Sequence, residues 1–203
     1  MLVYLLVVLI GVTVALSVDP LVTLPDGTQL QGGREGSVSF FRGVPFAEPP
    51  INELRFAPPK PWVNLNVSLP LDATKHGHAC MQFFWGDDGL FDDGSEDCLT
   101  LNVFVNLEYA ASSSEPLPVG IFVHGGAFIN GASFLPLYDG VDMMEYWGGK
   151  AILVTTNYRL NVFGFAGSEE LRAQDPDSGS TGNYGIQDQR LAFEWVRDNI
   201  GMR

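Results

Sequence analysis

Basic residues are scarce in this sequence. Its 203 residues hold 11 Lys and Arg against 24 Asp and Glu, a formal charge of −13. Such a surface repels phosphate backbones, which argues against nucleic-acid partners. Charge of either sign is sparse at 17%, while apolar residues make up 46%. Disordered chains show the opposite balance, so the chain is globular, with one domain's worth of length. Internal repeats are absent. So are the phosphate loops G-x-x-x-x-G-K-[ST] and G-x-G-x-x-G. Cysteines number two and histidines three. His76, His78 and Cys80 cluster, but their spacing matches no zinc pattern. The acid-rich run at 87–97 puts no glycine at the sixth position of a calcium loop and reads as a solvated loop. No metal and no cofactor are expected.

The N-terminus is equally poor in charge. Leu2 to Leu16 is apolar, the length of a signal core and short for a membrane span. Ala15 and Ser17 are small residues at −3 and −1 of a cut after Ser17. A signal peptide over residues 1–17 and a secreted product are expected. No Lys or Arg precedes the apolar run, so an uncleaved anchor is the other reading. Membrane contact would come only through such a leader or a later C-terminal segment. In an oxidising compartment Cys80 and Cys98 can pair, which the chain-entropy view values at about 3 kcal/mol. Two free thiols remain the alternative. Asn66 opens an N-V-S glycosylation sequon.

Along the chain, Pro25-Asp26-Gly27 is a turn between short β-rich segments, so antiparallel pairing is expected there. A Pro-rich loop follows at 47–62. Residues 99–105 read as a strand. Residues 119–125 and 151–158 are near-continuous apolar runs, the pattern of strands covered on both faces in a mostly parallel sheet. Residues 109–116 read as a surface loop, and 138–149 can supply a short crossover helix. Residues 186–200 form the best helix, with Leu191 and Trp195, and Ala192, Val196 and Ile200, repeating at four-residue intervals. Strand, loop and helix in alternation indicate α/β architecture.

The densest glycine cluster among the strands follows residues 119–123, as His124-Gly125-Gly126-Ala127-Phe128. A bare turn at a strand end lets several N–H groups point into one space. Without a phosphate-loop pattern, the remaining use for such a cradle is the oxyanion of acyl transfer. Residues 95–104, 121–128, 157–165 and 182–200 occur in an order that resembles the type-B carboxylesterase/cholinesterase family of α/β hydrolases. Residues 41–50 resemble that family's N-terminal signature. The resemblance implies the N-terminal part of an α/β-hydrolase fold, with a mostly parallel central sheet and a small antiparallel N-terminal section. The partial domain would span residues 18–203. It further implies a Cys80–Cys98 bridge and an oxyanion hole at Gly126 and Ala127, with Gly125 opening the turn. Ala127 stands where many relatives have a third glycine; its N–H is still available.

Such enzymes place their nucleophile in G-x-S-x-G, with a carboxylate and a histidine later in the chain. No G-x-S-x-G occurs here. Nucleophile, acid and base are expected beyond Arg203, so these residues alone should not turn over esters. His124 is expected to orient the loop rather than act as base, and Trp85 to pack rather than bind choline. The resemblance implies a small-molecule ester as substrate of the completed enzyme. The alternative is a non-catalytic, neuroligin-like binding protein that keeps the fold and lacks the serine. No residue pattern indicates an oligomeric state.

Overall fold

The computed structural model describes residues 19–64, 70–82, 94–175, 179 and 181–201. The leader, the Asn66 sequon, Trp85 and most of the acidic run lie outside the described residues.

In chain order the strands and helices are β1 (Leu21–Thr23), β2 (Gln29–Gln31), β3 (Gly33–Glu35), β4 (Val38–Pro45), β5 (Leu71–Asp72), β6 (Thr100–Val105), α1 (Leu107–Ser112), β7 (Val119–Val123), α2 (Gly140–Tyr146), β8 (Ile152–Thr156), α3 (Asn161–Phe165), α4 (Glu169–Gln174) and α5 (Tyr184–Asn199). β1 and β2 form the hairpin expected at Pro25-Asp26-Gly27. Gly27 supplies φ +88°, and Asp26 Oδ1 accepts from the Thr28 N–H at 2.8 Å. β5 extends this small sheet.

The main sheet has the order β3-β4-β6-β8-β7. β7 and β8 are parallel and joined by α2, the expected crossover. β6 runs antiparallel to both β4 and β8. The antiparallel section therefore reaches the middle of the sheet, further than the apolar runs suggested. A strand covered on both faces carries the same run of side chains in either direction, so composition does not encode its sense.

Alternation along β6 divides the core into two layers. Leu101, Val103 and Val105 pack with Ala192 and Val196 of α5. Phe104 packs on the other face with Val141 and Met144 of α2. Gly140 allows that approach, because a Cβ there would overlap the Phe104 ring. Residues 109–116 divide differently from the expected loop. Tyr109 to Ser112 complete α1, because Asn106 caps it by accepting from the Tyr109 N–H at 2.8 Å. Among the described residues no helix is long and apolar enough to cross a membrane.

Candidate functional site

Because β7 and β8 are parallel, the segments that follow them leave the same edge of the sheet. Open α/β sheets form their binding sites at this carboxyl edge. The His124–Asn130 loop leaves β7 here, and Asn157 to Asn161 leave β8. Cys98, at the start of the antiparallel approach to β6, reaches the same edge.

The loop after β7 contains a tight reversal. Gly126, Ala127 and Phe128 have φ of +121°, +54° and +62°. The Ile129 N–H donates to Gly126 O at 3.0 Å. Two successive left-handed residues inside such a bond make a type I′ turn. A Cβ on Gly126 would overlap Asn130 O, so only glycine fits. Gly125, Gly126 and Ala127 are exposed, and among the described residues their N–H groups meet no acceptor.

His124 lies beneath this turn and is buried. Its Nδ1 is 2.9 Å from Gly125 O, so Nδ1 carries the proton and donates. The ring stacks on Tyr158 with centroids 4.6 Å apart, and the Tyr158 hydroxyl donates to His124 O at 3.0 Å. Burial pushes the imidazole below its ordinary value of 6.5, against the hydrogen bond to Gly125. Nε2 is buried and meets no partner among the described residues. Held this way, the neutral ring is a brace for the loop.

The segment after β8 supports the loop from the other side. The Asn161 N–H donates to Phe128 O at 2.7 Å, and the Phe128 ring leans on Phe165 at 5.1 Å. Arg159 is buried and grips Asp188 of α5 through Nε at 2.9 Å and a terminal nitrogen at 2.7 Å. The Arg159 N–H adds a third bond to the same carboxylate at 2.9 Å. Burial pushes the Asp188 carboxyl up, while the hydrogen bonds and charge of Arg159 oppose that.

Cys80 and Cys98 are joined as a disulfide. His76 Nδ1 lies 3.1 Å from Asn102 Oδ1, and its ring tilts against Phe134. Among the described residues no group of three or more His, Cys, Asp or Glu is placed to hold a metal. Sequence reasoning did not single out Gln82, Asn157, Tyr158 or Asn161 individually. The last three lie in a segment that carried the resemblance. Nothing in spacing marks Gln82, whose partner Gly131 is 49 residues away.

The sequence profile of the carboxylesterase family matches residues 19–202. Acetylcholinesterase of Electrophorus electricus is 36% identical over 189 residues, 86% of this chain and 27% of that protein. Para-nitrobenzyl esterase of Bacillus subtilis (strain 168) is 38% identical over 181 residues, 85% of this chain and 33% of that protein. The solved structure of Aspergillus niger EstA superposes with a TM-score of 0.74 at 32% identity, over 90% of this chain and 33% of that one. The chain spans about a third or less of the length of these relatives. Its strands and helices form part of an α/β-hydrolase fold. With the match extending over nearly all described residues, the chain belongs to the carboxylesterase family.

Proposed function

We propose that these residues are the N-terminal part of a secreted carboxylic ester hydrolase, with the N–H groups of Gly126 and Ala127 as its oxyanion hole. The exposed N–H groups at the carboxyl edge of the sheet, which meet no acceptor among the described residues, carry this proposal. Gly125 opens the turn that aims them. Two N–H dipoles fixed before reaction stabilise the tetrahedral oxyanion without reorganising, which is the source of such a site's power. In the completed enzyme a serine would attack the ester carbonyl. A histidine would take the serine proton and return it to the leaving alkoxide, and an acid would orient that histidine. The substrate is a small-molecule ester. The Cys80–Cys98 disulfide supports an oxidising compartment.

Without nucleophile and base, the purified 203-residue chain should neither hydrolyse p-nitrophenyl esters nor take up an organophosphate stoichiometrically. One label per chain on a serine would overturn this. Reading the transcript through the Arg203 codon decides the larger assignment. A continuing frame with G-x-S-x-G and a later acid and histidine supports the esterase, and Gly126→Ala should then lower its kcat about 10²-fold, because a Cβ against Asn130 O displaces the donor without removing it. A continuing frame that lacks the serine replaces the esterase with a neuroligin-like binding protein.

A further inference from the structure

Three amide side chains tie the disulfide region to the far arm of the loop after β7. Gln82 lies two residues past Cys80. Its Nε2 donates to Cys80 O at 3.0 Å and to Gly131 O at 2.9 Å. Its Oε1 accepts from the Gly131 N–H at 2.8 Å. Asn157 Nδ2 donates to Cys98 O at 3.2 Å, and its Oδ1 accepts from the Ser133 N–H at 2.8 Å. Asn161 Nδ2 donates to Met81 O at 2.7 Å, while its own N–H holds Phe128 O. The carbonyls of both bridged cysteines are thus connected, through one amide each, to a backbone N–H of the loop.

Gly131 passes this anchorage to the turn. Its φ is +119°, and a Cβ there would overlap His124 Nδ1 and Gly125 O. Gly131 therefore lies directly against the peptide that opens the cradle. A loop with Ala127 and Phe128 in the left-handed region does not hold its shape by local preference. Something outside it must fix the conformation, and Gln82 engages both polar groups of Gly131 from 49 residues away.

We propose that Gln82 is a positioning residue for the Gly126–Ala127 cradle, carrying to it the anchorage of the Cys80–Cys98 disulfide. The purpose of the cradle rests on the ester-hydrolase proposal; the anchorage does not. A side chain that merely satisfies two polar groups would act alone. A side chain that transmits the disulfide's anchorage would act with it. The two roles predict different double-variant behaviour.

The test is hydrogen exchange on the 203-residue chain, read at the Ile129 and Asn130 amides, with β6 and β8 as internal controls. Both amides donate to Gly126 O and so report the turn rather than the bond that Gln82 itself makes. Gln82→Met keeps the length and removes every donor and acceptor. It should speed loop exchange about tenfold, with β6 and β8 unchanged. Cys80→Ser with Cys98→Ser should do the same. All three substitutions together should exchange no faster than the faster of the two. Unchanged loop exchange in Gln82→Met overturns the proposal, as does an equal rise across β6 and β8. Effects that multiply in the combined variant overturn the link to the disulfide. If the cysteine variant fails to fold, Gln82→Met still decides the anchorage of the loop, and the link to the disulfide is read by reducing the folded wild-type and Gln82→Met chains with a thiol. Reduction that speeds loop exchange by the same factor in both overturns the link. No arm requires ester turnover. A failed oxyanion assignment and a failed anchorage are therefore separate results.

Discussion

Ala127 occupies a backbone conformation in which an L-residue costs roughly 1–2 kcal/mol relative to the right-handed form. Its φ is +54°, within a turn that glycine would enter without strain. Ala127→Gly should therefore relieve strain, less about 0.4–1 kcal/mol for the added freedom of the unfolded chain. The expected net is a small rise in the urea midpoint. Gly126→Ala should do the reverse and cost about 2 kcal/mol or more, since φ +121° and the Asn130 carbonyl both exclude a Cβ. Equal midpoints for the two variants would contradict this account. His124 adds a pH dependence whose sign follows from burial. Its folded pKa lies below the ordinary 6.5. Above about pH 6.5 the ring is neutral in folded and unfolded chain alike, and its contribution is fully present. As pH falls, the unfolded chain takes up the proton first, so stability is lost down through the folded pKa. His124→Phe keeps a ring against Tyr158 and removes that proton. Thermal midpoints between pH 7 and 5 should fall less steeply in the variant than in the wild type.

At the scale of elements, the end of β8 is joined to α5 by the buried Arg159–Asp188 pair. Arg159 also donates to Ala57 O at 2.9 Å, and its guanidinium lies 5.4 Å from the Tyr184 ring centroid. Removing one member leaves an uncompensated buried charge, so Asp188→Ala should cost about 3–5 kcal/mol in urea unfolding. Arg159→Met with Asp188→Leu should cost clearly less, and additive losses would show that the pair is not coupled. Both residues lie in segments that carried the family resemblance, yet no spacing rule pairs them across 29 positions. That marks the boundary of what was legible. Local signals were readable: the Pro25-Asp26-Gly27 turn, the four-residue stripe of α5 and the apolar runs of β7 and β8. The turn after β7 was readable in part: Gly126 marks it by its missing side chain, whereas the positive φ of Ala127 and Phe128 is not signalled by residue type. The direction of β6 was not, since a doubly covered strand looks alike either way. The Asn106 cap of α1 was missed because polar residues around it resemble a loop. Gln82 was invisible because its partner is chosen by the fold, not by neighbours in sequence.

At the scale of the whole molecule, the main sheet ends on β7 among the described residues. An edge strand offers unpaired N–H and C=O groups to any other chain, and proteins usually guard it with charge, proline or a bulge. β7 reads Val-Gly-Ile-Phe-Val and carries no charge. Val119 is 40% exposed, and Leu137 and Trp147, which share a hollow with Gly120 and Phe122 of β7, are 85% and 37% exposed. An open apolar hollow of about 260 Å³ runs along this edge, lined by Ile121, Phe122, Met143 and Leu153 among others. Opposing this, a charge of −13 makes copies of the chain repel one another. Repulsion between exposed charges is screened by salt, with a Debye length of about 30 Å at 0.01 M and about 3 Å at 1 M. Edge pairing and apolar contact are not weakened in that way. The 203-residue chain should therefore be closest to monomeric at low salt and associate as salt rises, with increased binding of a hydrophobic dye. Val119→Lys places a charge on the open edge and should delay association to higher salt with little change in the unfolding midpoint. Light scattering coupled to gel filtration reads both. A wild-type chain that stays monomeric at 1 M salt and melts in one sharp transition would show that β7 is not an exposed edge in solution.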